Sequence, residues 1–114
     1  MIAGVEGILE FRGSDWAIIK VGGISLQVCM STPTLSSLGG VGGKVQLYTH
    51  LHLRENDIAL YGFASQEELE LFKQLISVAG VGPKVALAML SAMDPEKLTL
   101  AIATGNIDFL TQVP

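Results

Sequence analysis

The spacing of hydrophobic residues changes at Phe63, and this change limits the possible folds more than any other feature. Residues 45–53, VQLYTHLHL, alternate between apolar and polar side chains, which predicts a half-buried strand. After Phe63 apolar residues recur three and four positions apart, which predicts helices. We therefore expect an α+β chain with a strand domain over residues 1–63 and a helical domain over residues 64–114. The other predicted strands span residues 2–10, 16–21, 24–30 and 58–62.

The strand domain is predicted to form a small barrel. Gly22-Gly23 is a hairpin signal between the second and third strands. Residues 32–38, TPTLSSL, predict a short helix capped by Thr32 with Pro33 at its first position. Five strands with one helix before the fourth are typical of small barrels, among them the OB-fold. The strand count alone leaves an SH3-like barrel open.

The helical domain carries clear start and stop signals. Ser65 and Glu68 have the spacing of a capping box, and Asp94-Pro95 is a second helix start. Between residues 85 and 93 only Ser91 is polar, so we expect that helix to be covered on all sides, by further chain or by another subunit. The predicted helices span residues 66–78, 83–93, 95–104 and 107–112, the last capped by Asn106.

Several classes of site are disfavoured by the residues present. Cys29 is the single cysteine and there are two histidines, so neither a disulfide framework nor a zinc cluster is expected. The segment 39–46, GGVGGKVQ, is not a nucleotide-binding loop, because Val45 stands where a hydroxyl should hold magnesium. We expect no catalytic residue, no metal and no cofactor. His50 and His52 are interpreted as polar residues of one strand face, with a phosphate or carboxylate partner left open.

Location and charge narrow the possible partners. The N-terminus carries Glu6 and no basic flank, and no apolar run reaches the length of a membrane span. We therefore expect a cytoplasmic protein without a membrane partner. The net charge is −4, with −1 over residues 1–63 and −3 over the remainder. Any contact with nucleic acid must therefore be local.

The segment AGVGPK, residues 79–84, is the strongest candidate for a binding site. It joins two predicted helices, and the first N–H groups of the second helix have no partner within the helix. Glycines let a bulky anion approach these groups, the helix dipole favours negative charge, and a lysine follows. An ordinary helix corner is the alternative. The candidate phosphate-binding residues are Gly80, Val81, Gly82 and Lys84.

Longer motifs resemble the RuvA family. The similarity rests on YGF at 61–63 and LFKQLISVAGVGPKVALAML at 71–90, together with VGG at 21–23 and THLHLREND at 49–57. It covers all 114 residues in order. The helix–GVGPK–helix part alone is similar to helix-hairpin-helix motifs in general, which grip the DNA backbone without regard to sequence.

The resemblance implies an OB-fold barrel followed by a domain with two helix-hairpin-helix motifs and a mobile third domain. It also implies a homotetramer that binds four-way junction DNA, with one or two tetramers per junction, and that works with the RuvB motor and the RuvC resolvase. The subunit would be non-catalytic, since the ATPase lies in RuvB. A second hairpin would begin near residues 113–114, so we expect the helical domain to be cut off before it.

The resemblance further implies an acidic pin, a turn that faces the centre of the junction, at RENDI, residues 54–58. The family usually has two adjacent acids there. Glu55 matches, Asn56 departs from the pattern, and Asp57 is the candidate for the second acid. Carboxylates repel phosphate groups, which would keep strands apart at the crossover and disfavour uninterrupted duplex.

Two other functions remain as alternatives. A single-strand binder would stack bases on aromatic side chains, for which Trp16, Tyr48 and Tyr61 are the candidates. A protein-interaction module without a role on DNA would use the apolar helix over residues 85–93.

Overall fold

The structure is a computed structural model that describes residues 1–105. The chain divides into two compact units, residues 1–66 and residues from 67 onward. The sequence placed the boundary at 63, three residues earlier. Two predicted features, the helix capped by Asn106 and the hairpin near residues 113–114, lie outside the described residues.

The first unit is a closed five-stranded barrel. Its strands are antiparallel neighbours except where β3 pairs with β5 in parallel, and the order around the barrel is β1-β2-β3-β5-β4. A short helix, α1, lies between β3 and β4. This arrangement is that of an OB-fold, so the predicted fold class is confirmed. The strands are β1 Gly4–Arg12, β2 Trp16–Val21, β3 Ile24–Cys29, β4 Lys44–Leu53 and β5 Ile58–Phe63.

The barrel core follows the alternation in the sequence. On β4 the side chains of Val45, Leu47 and Thr49 are buried. The Thr49 hydroxyl donates to the carbonyl of Ile2 at 2.6 Å, and the Thr49 N–H donates to the carbonyl of Ala3 at 3.0 Å. These bonds tie the N-terminal residues to β4 and satisfy a buried polar side chain on that strand face.

The cap of α1, Thr32–Ser37, differs from the prediction. The N-cap is Ser31, whose hydroxyl accepts from the N–H of Thr34, so the predicted cap at Thr32 is wrong by one residue. Both residues carry a suitable hydroxyl. Ser31 has the extended backbone that an N-cap requires, while Thr32 and Pro33 are already helical.

The glycine-rich segment 39–43 is a loop between α1 and β4. The N–H of Gly42 donates to the carbonyl of Leu9 at 2.8 Å, and the N–H of Leu9 donates to the carbonyl of Gly43 at 2.9 Å. The Arg12 guanidinium donates to the carbonyls of Gly39 and Leu35. Part of this loop therefore continues the β1–β4 ladder.

The second unit is helical. As predicted, Asp94 caps the helix that begins at Pro95. The Asp94 carboxylate accepts from the N–H of Glu96 at 2.9 Å. Within the described residues Val85 and Ser91 are exposed, so cover of residues 85–93 by further chain or by another subunit stays a prediction. The helices are α2 Gln66–Ile76, α3 Pro83–Ala92 and α4 Pro95–Ala103. None of the helices in the described part of the chain is long and apolar enough to cross a membrane.

Candidate nucleic-acid interface

The corner between α2 and α3, residues 77–82, is shaped by one left-handed glycine. Gly80 has φ +86°, a conformation that side chains with a Cβ rarely adopt. A Cβ built on Gly80 would meet no atom within 4 Å, so the space beside it is open. The corner thus combines a tight change of direction with an unobstructed outer surface.

The start of α3 contains N–H groups without a hydrogen-bond acceptor. Gly82 is the N-cap, with φ −90° and ψ 175°, and its carbonyl accepts from the N–H of Ala86 at 2.9 Å. No side chain caps this end. Within residues 1–105 the N–H groups of Gly82, Lys84 and Val85 have no acceptor. Three donors are therefore unpaired at a helix start, where the helix dipole favours an anion.

Lys84 supplies the full positive charge at this corner. Its side chain is exposed, and no carboxylate of residues 1–105 forms an ion pair with it. The first turn of α3 also contains no acidic residue. Backbone donors and one ammonium suit a phosphate group, and neither can distinguish one base from another.

Val81 has a different role from the one the sequence suggested. Its side chain is only 5% exposed, and its N–H donates to the carbonyl of Val78 at 3.1 Å. Neither the side chain nor the N–H is free for a phosphate group, so Val81 as a direct phosphate contact stays a prediction that this geometry does not favour. The amide of Val85 was not among the predicted residues. The general rule for unpaired donors in the first helical turn would have included it.

The β4–β5 turn, residues 54–57, forms a second exposed feature with the opposite charge. The N–H of Arg54 donates to the carbonyl of Asp57 at 2.8 Å, which closes the turn. Glu55, Asn56 and Asp57 are all exposed. Neither carboxylate forms an ion pair with a basic side chain of the described residues. The tip therefore presents two carboxylates without ion pairs, next to one exposed basic side chain, Arg54.

Comparison with known proteins decides the family. The model of the RuvA N terminal domain matches residues 1–62, and that of the SAM-like helix-hairpin-helix tandem matches residues 72–114. The chain belongs to the RuvA family. The first match covers the OB-fold barrel and its acidic tip, and the second covers the corner at Gly80.

Curated relatives align with the whole chain. A Holliday junction branch migration complex subunit RuvA from Dehalococcoides mccartyi is 47% identical over all 114 residues, which are 59% of that protein. The protein of the same name from Herpetosiphon aurantiacus is 46% identical, again over the whole chain and 58% of the relative. The one from Acetivibrio thermocellus is 43% identical over 98% of this chain and 55% of its own. The chain thus spans about three fifths of the length of these RuvA proteins.

The two histidines lie on the outer face of this RuvA barrel beside a buried tyrosine. The ring centroids of His50 and His52 are 6.1 Å apart, and the rings of His52 and Tyr61 meet edge to face with their centroids 6.3 Å apart. Burial raises the pKa of Tyr61, aided by Cys29 and Asp57 and opposed by Arg54. Among the described residues no group of three potential ligands could hold a metal ion.

The aromatic side chains proposed for single-strand binding do not form one exposed surface. Tyr61 is buried, so its ring cannot stack with a base. Trp16 instead stacks on Phe11, with ring centroids 5.3 Å apart. A register shift between Leu9 and Phe11 places Phe11 opposite Ile18 on the outer face, which the sequence pattern did not reveal.

Proposed function

We propose that this chain is the DNA-binding part of a subunit that recognises Holliday junctions in a RuvAB branch-migration complex. The observation that carries the proposal is the corner at Gly80, where three N–H groups have no acceptor in the described residues, Lys84 is exposed and the first turn of α3 contains no acid. This corner lies within the helix-hairpin-helix match. The names of the relatives supply the type of DNA, a four-way junction.

In this proposal the two exposed turns have complementary tasks. The corner binds the phosphate backbone without sequence specificity through the N–H groups of Gly82, Lys84 and Val85 and the Lys84 ammonium, and Gly80 leaves the space for close approach. Glu55 and Asp57 form the acidic pin, where they repel phosphate groups and keep strands apart at the crossover. Binding and repulsion on one protein favour a junction, whose open centre avoids the acids, over continuous duplex.

The remaining activities are proposed from the resemblance and from the names of longer proteins. The subunit is itself non-catalytic, and the RuvB motor supplies ATP hydrolysis for homologous recombination and repair. RuvC resolvase and further copies of the chain, as a homotetramer, are the other partners, in the cytoplasm. The working domain division is residues 1–63 and 64–114, with the second hairpin beyond the described part of the chain.

A competition experiment tests the proposal. A labelled four-way junction with fixed arms is bound to the complete natural protein, and unlabelled junction or linear duplex of equal length competes. We expect the junction to compete at least about ten-fold better, a difference typical of structure-specific binding. Equal competition by duplex would show that the protein is a general DNA binder. Preferential competition by unstructured oligonucleotide would favour the single-strand alternative.

A further inference from the structure

Two large apolar side chains flank the acidic tip of the β4–β5 turn. Leu53 and Ile58 are directly opposite one another in the strand register. Their exposed fractions are 63% and 61%. Single exposed leucines are common on protein surfaces, but a cross-strand pair at the end of a projecting turn forms a continuous apolar surface.

This exposure follows from the lengths of the strands. Leu53 belongs to the same side of β4 as the core residues Val45 and Leu47. Along its hydrogen-bonded edge, β4 pairs with β1 only from Lys44 to Tyr48. The hairpin therefore extends beyond the strand that closes the barrel, and its core-facing row continues as an uncovered surface.

In the sequence the pair adjoins the turn that carries the carboxylates of Glu55 and Asp57, which have no ion pair in the described residues, and the exposed Arg54. An apolar surface next to negative charge matches the flat face of a base pair, which is apolar at its centre and carries phosphate groups only at its periphery. A protein surface is a poorer match, because covering the pair would bring the two carboxylates out of water or close to those of another copy.

We propose that Leu53 and Ile58 pack against the exposed base at the centre of a bound junction. This inference rests on the proposed function and assigns the pin a second element. The acids repel the backbone, while the apolar pair supports the base that strand separation leaves unstacked. Apolar side chains take this role in other proteins by contacting unstacked base steps.

The test uses the complete natural protein and a four-way junction with 2-aminopurine beside the crossover. Its fluorescence reports the stacking of that base. With the unchanged protein we expect a clear change on saturation. In the double variant L53S/I58S we expect the fluorescence change to fall by about half or more, with junction affinity about five-fold weaker, the lower end of the range for loss of one stacked base.

Val41 provides the matched control. It is equally exposed, at 63%, and lies in the loop beside the other end of the β1–β4 ladder. V41S should leave the fluorescence change intact. Circular dichroism and light scattering of each variant confirm that it is folded and report its mass.

The outcomes separate this inference from the proposed function. A double variant that keeps the full fluorescence change overturns the inference, while the junction preference of the unchanged protein stands. A double variant that loses mass by light scattering assigns the pair to contact between copies and also overturns it. If the unchanged protein shows no junction preference, the proposed function itself fails.

Discussion

The corner at Gly80 and the tip at Glu55 are both exposed turns between two regular elements, but they present opposite chemistry. The corner offers backbone N–H groups and Lys84, with no acid in the first turn of α3. The tip offers the carboxylates of Glu55 and Asp57 without ion pairs in the described residues. Only the corner contains a left-handed glycine, Gly80.

In the proposed function, this difference between the two turns is what would allow an acidic protein to bind DNA. The net charge of −4 gives no broad attraction. A phosphate group can instead be held by donors fixed at one helix start, where the charge of the rest of the chain is screened within about 10 Å at ordinary salt. Negative charge elsewhere then limits binding to continuous duplex.

The largest effect is expected when the charge of the corner is reversed. Lys84→Glu should weaken junction binding at least about ten-fold at low salt, for junctions of any sequence. It should also reduce the slope of log K against log salt by about one for each phosphate group that the variant no longer neutralises. Fluorescence anisotropy over a salt series measures both quantities.

Lys97 is the matched control for Lys84. It is another exposed lysine of the helical unit, in the first turn of α4. Lys97→Glu changes the net charge by the same amount, so it should have only a small effect. Equal losses of affinity for the two variants would mean that overall charge, and not the corner, governs binding.

Removing the charges of the tip should have a smaller effect of the opposite sign. In the double variant E55Q/D57N we expect linear duplex to bind roughly three- to ten-fold more tightly, since repulsion of about 1 kcal/mol per close charge pair in water is removed. Affinity for the junction should change less, so the ratio of junction affinity to duplex affinity should fall. Glu6→Gln, an exposed acid on β1, should leave the preference as it is.

A smaller effect is expected for the backbone of the corner. Gly80→Ala should destabilise the protein by about 1 kcal/mol, because φ is +86° there and the cost is conformational strain. No steric clash adds to it, since the space around Gly80 is open. Gly23, which has equal space but no positive φ, should tolerate alanine within about 0.5 kcal/mol. Urea unfolding of both variants decides the point.

The smallest effect concerns alkaline pH and is confined to the barrel, which holds both tyrosines of the chain. The pKa of Tyr61 is raised in the folded protein, mainly by burial. The neutral ring is therefore favoured by folding, and its stabilising contribution is complete below the usual pKa of 10.0 and lost as the pH rises through the folded value.

Tyr61→Phe removes this titration. Urea unfolding between pH 8 and pH 11, followed by far-UV circular dichroism, should show a shallower alkaline decline of stability in the variant, as expected for one titrating group. A parallel decline in both proteins would mean that other groups control alkaline unfolding.

Much of the barrel could be predicted from the sequence, because alternation directly reports which side of a strand is buried. The alternation over residues 45–53 puts Val45, Leu47 and Leu53 on one side of the strand, and Val45 and Leu47 are buried there. Leu53 is exposed on that side, because alternation does not report how far the neighbouring strand extends. The outward position of Phe11 could not be predicted for a related reason, because the alternation of apolar and polar residues does not reveal a register shift.

The position of the corner could be predicted from the sequence, but the conformation and burial of its residues could not. AGVGPK identified a helix start with glycines around one valine. The sequence treated Gly80 and Gly82 alike, yet only Gly80 is left-handed, while Gly82 is extended and acts as the N-cap. The burial of Val81 depends on packing around it, which spacing does not report.

The most direct test of the corner is an amide NMR titration of the protein with a four-way junction. Phosphate binding at the start of α3 should shift the backbone amide signals of Gly82, Lys84 and Val85, which have no acceptor in the described structure. The bonded amide of Val81 should shift less. If the junction binds and these three signals stay in place while others move, the DNA is held elsewhere and the account is wrong.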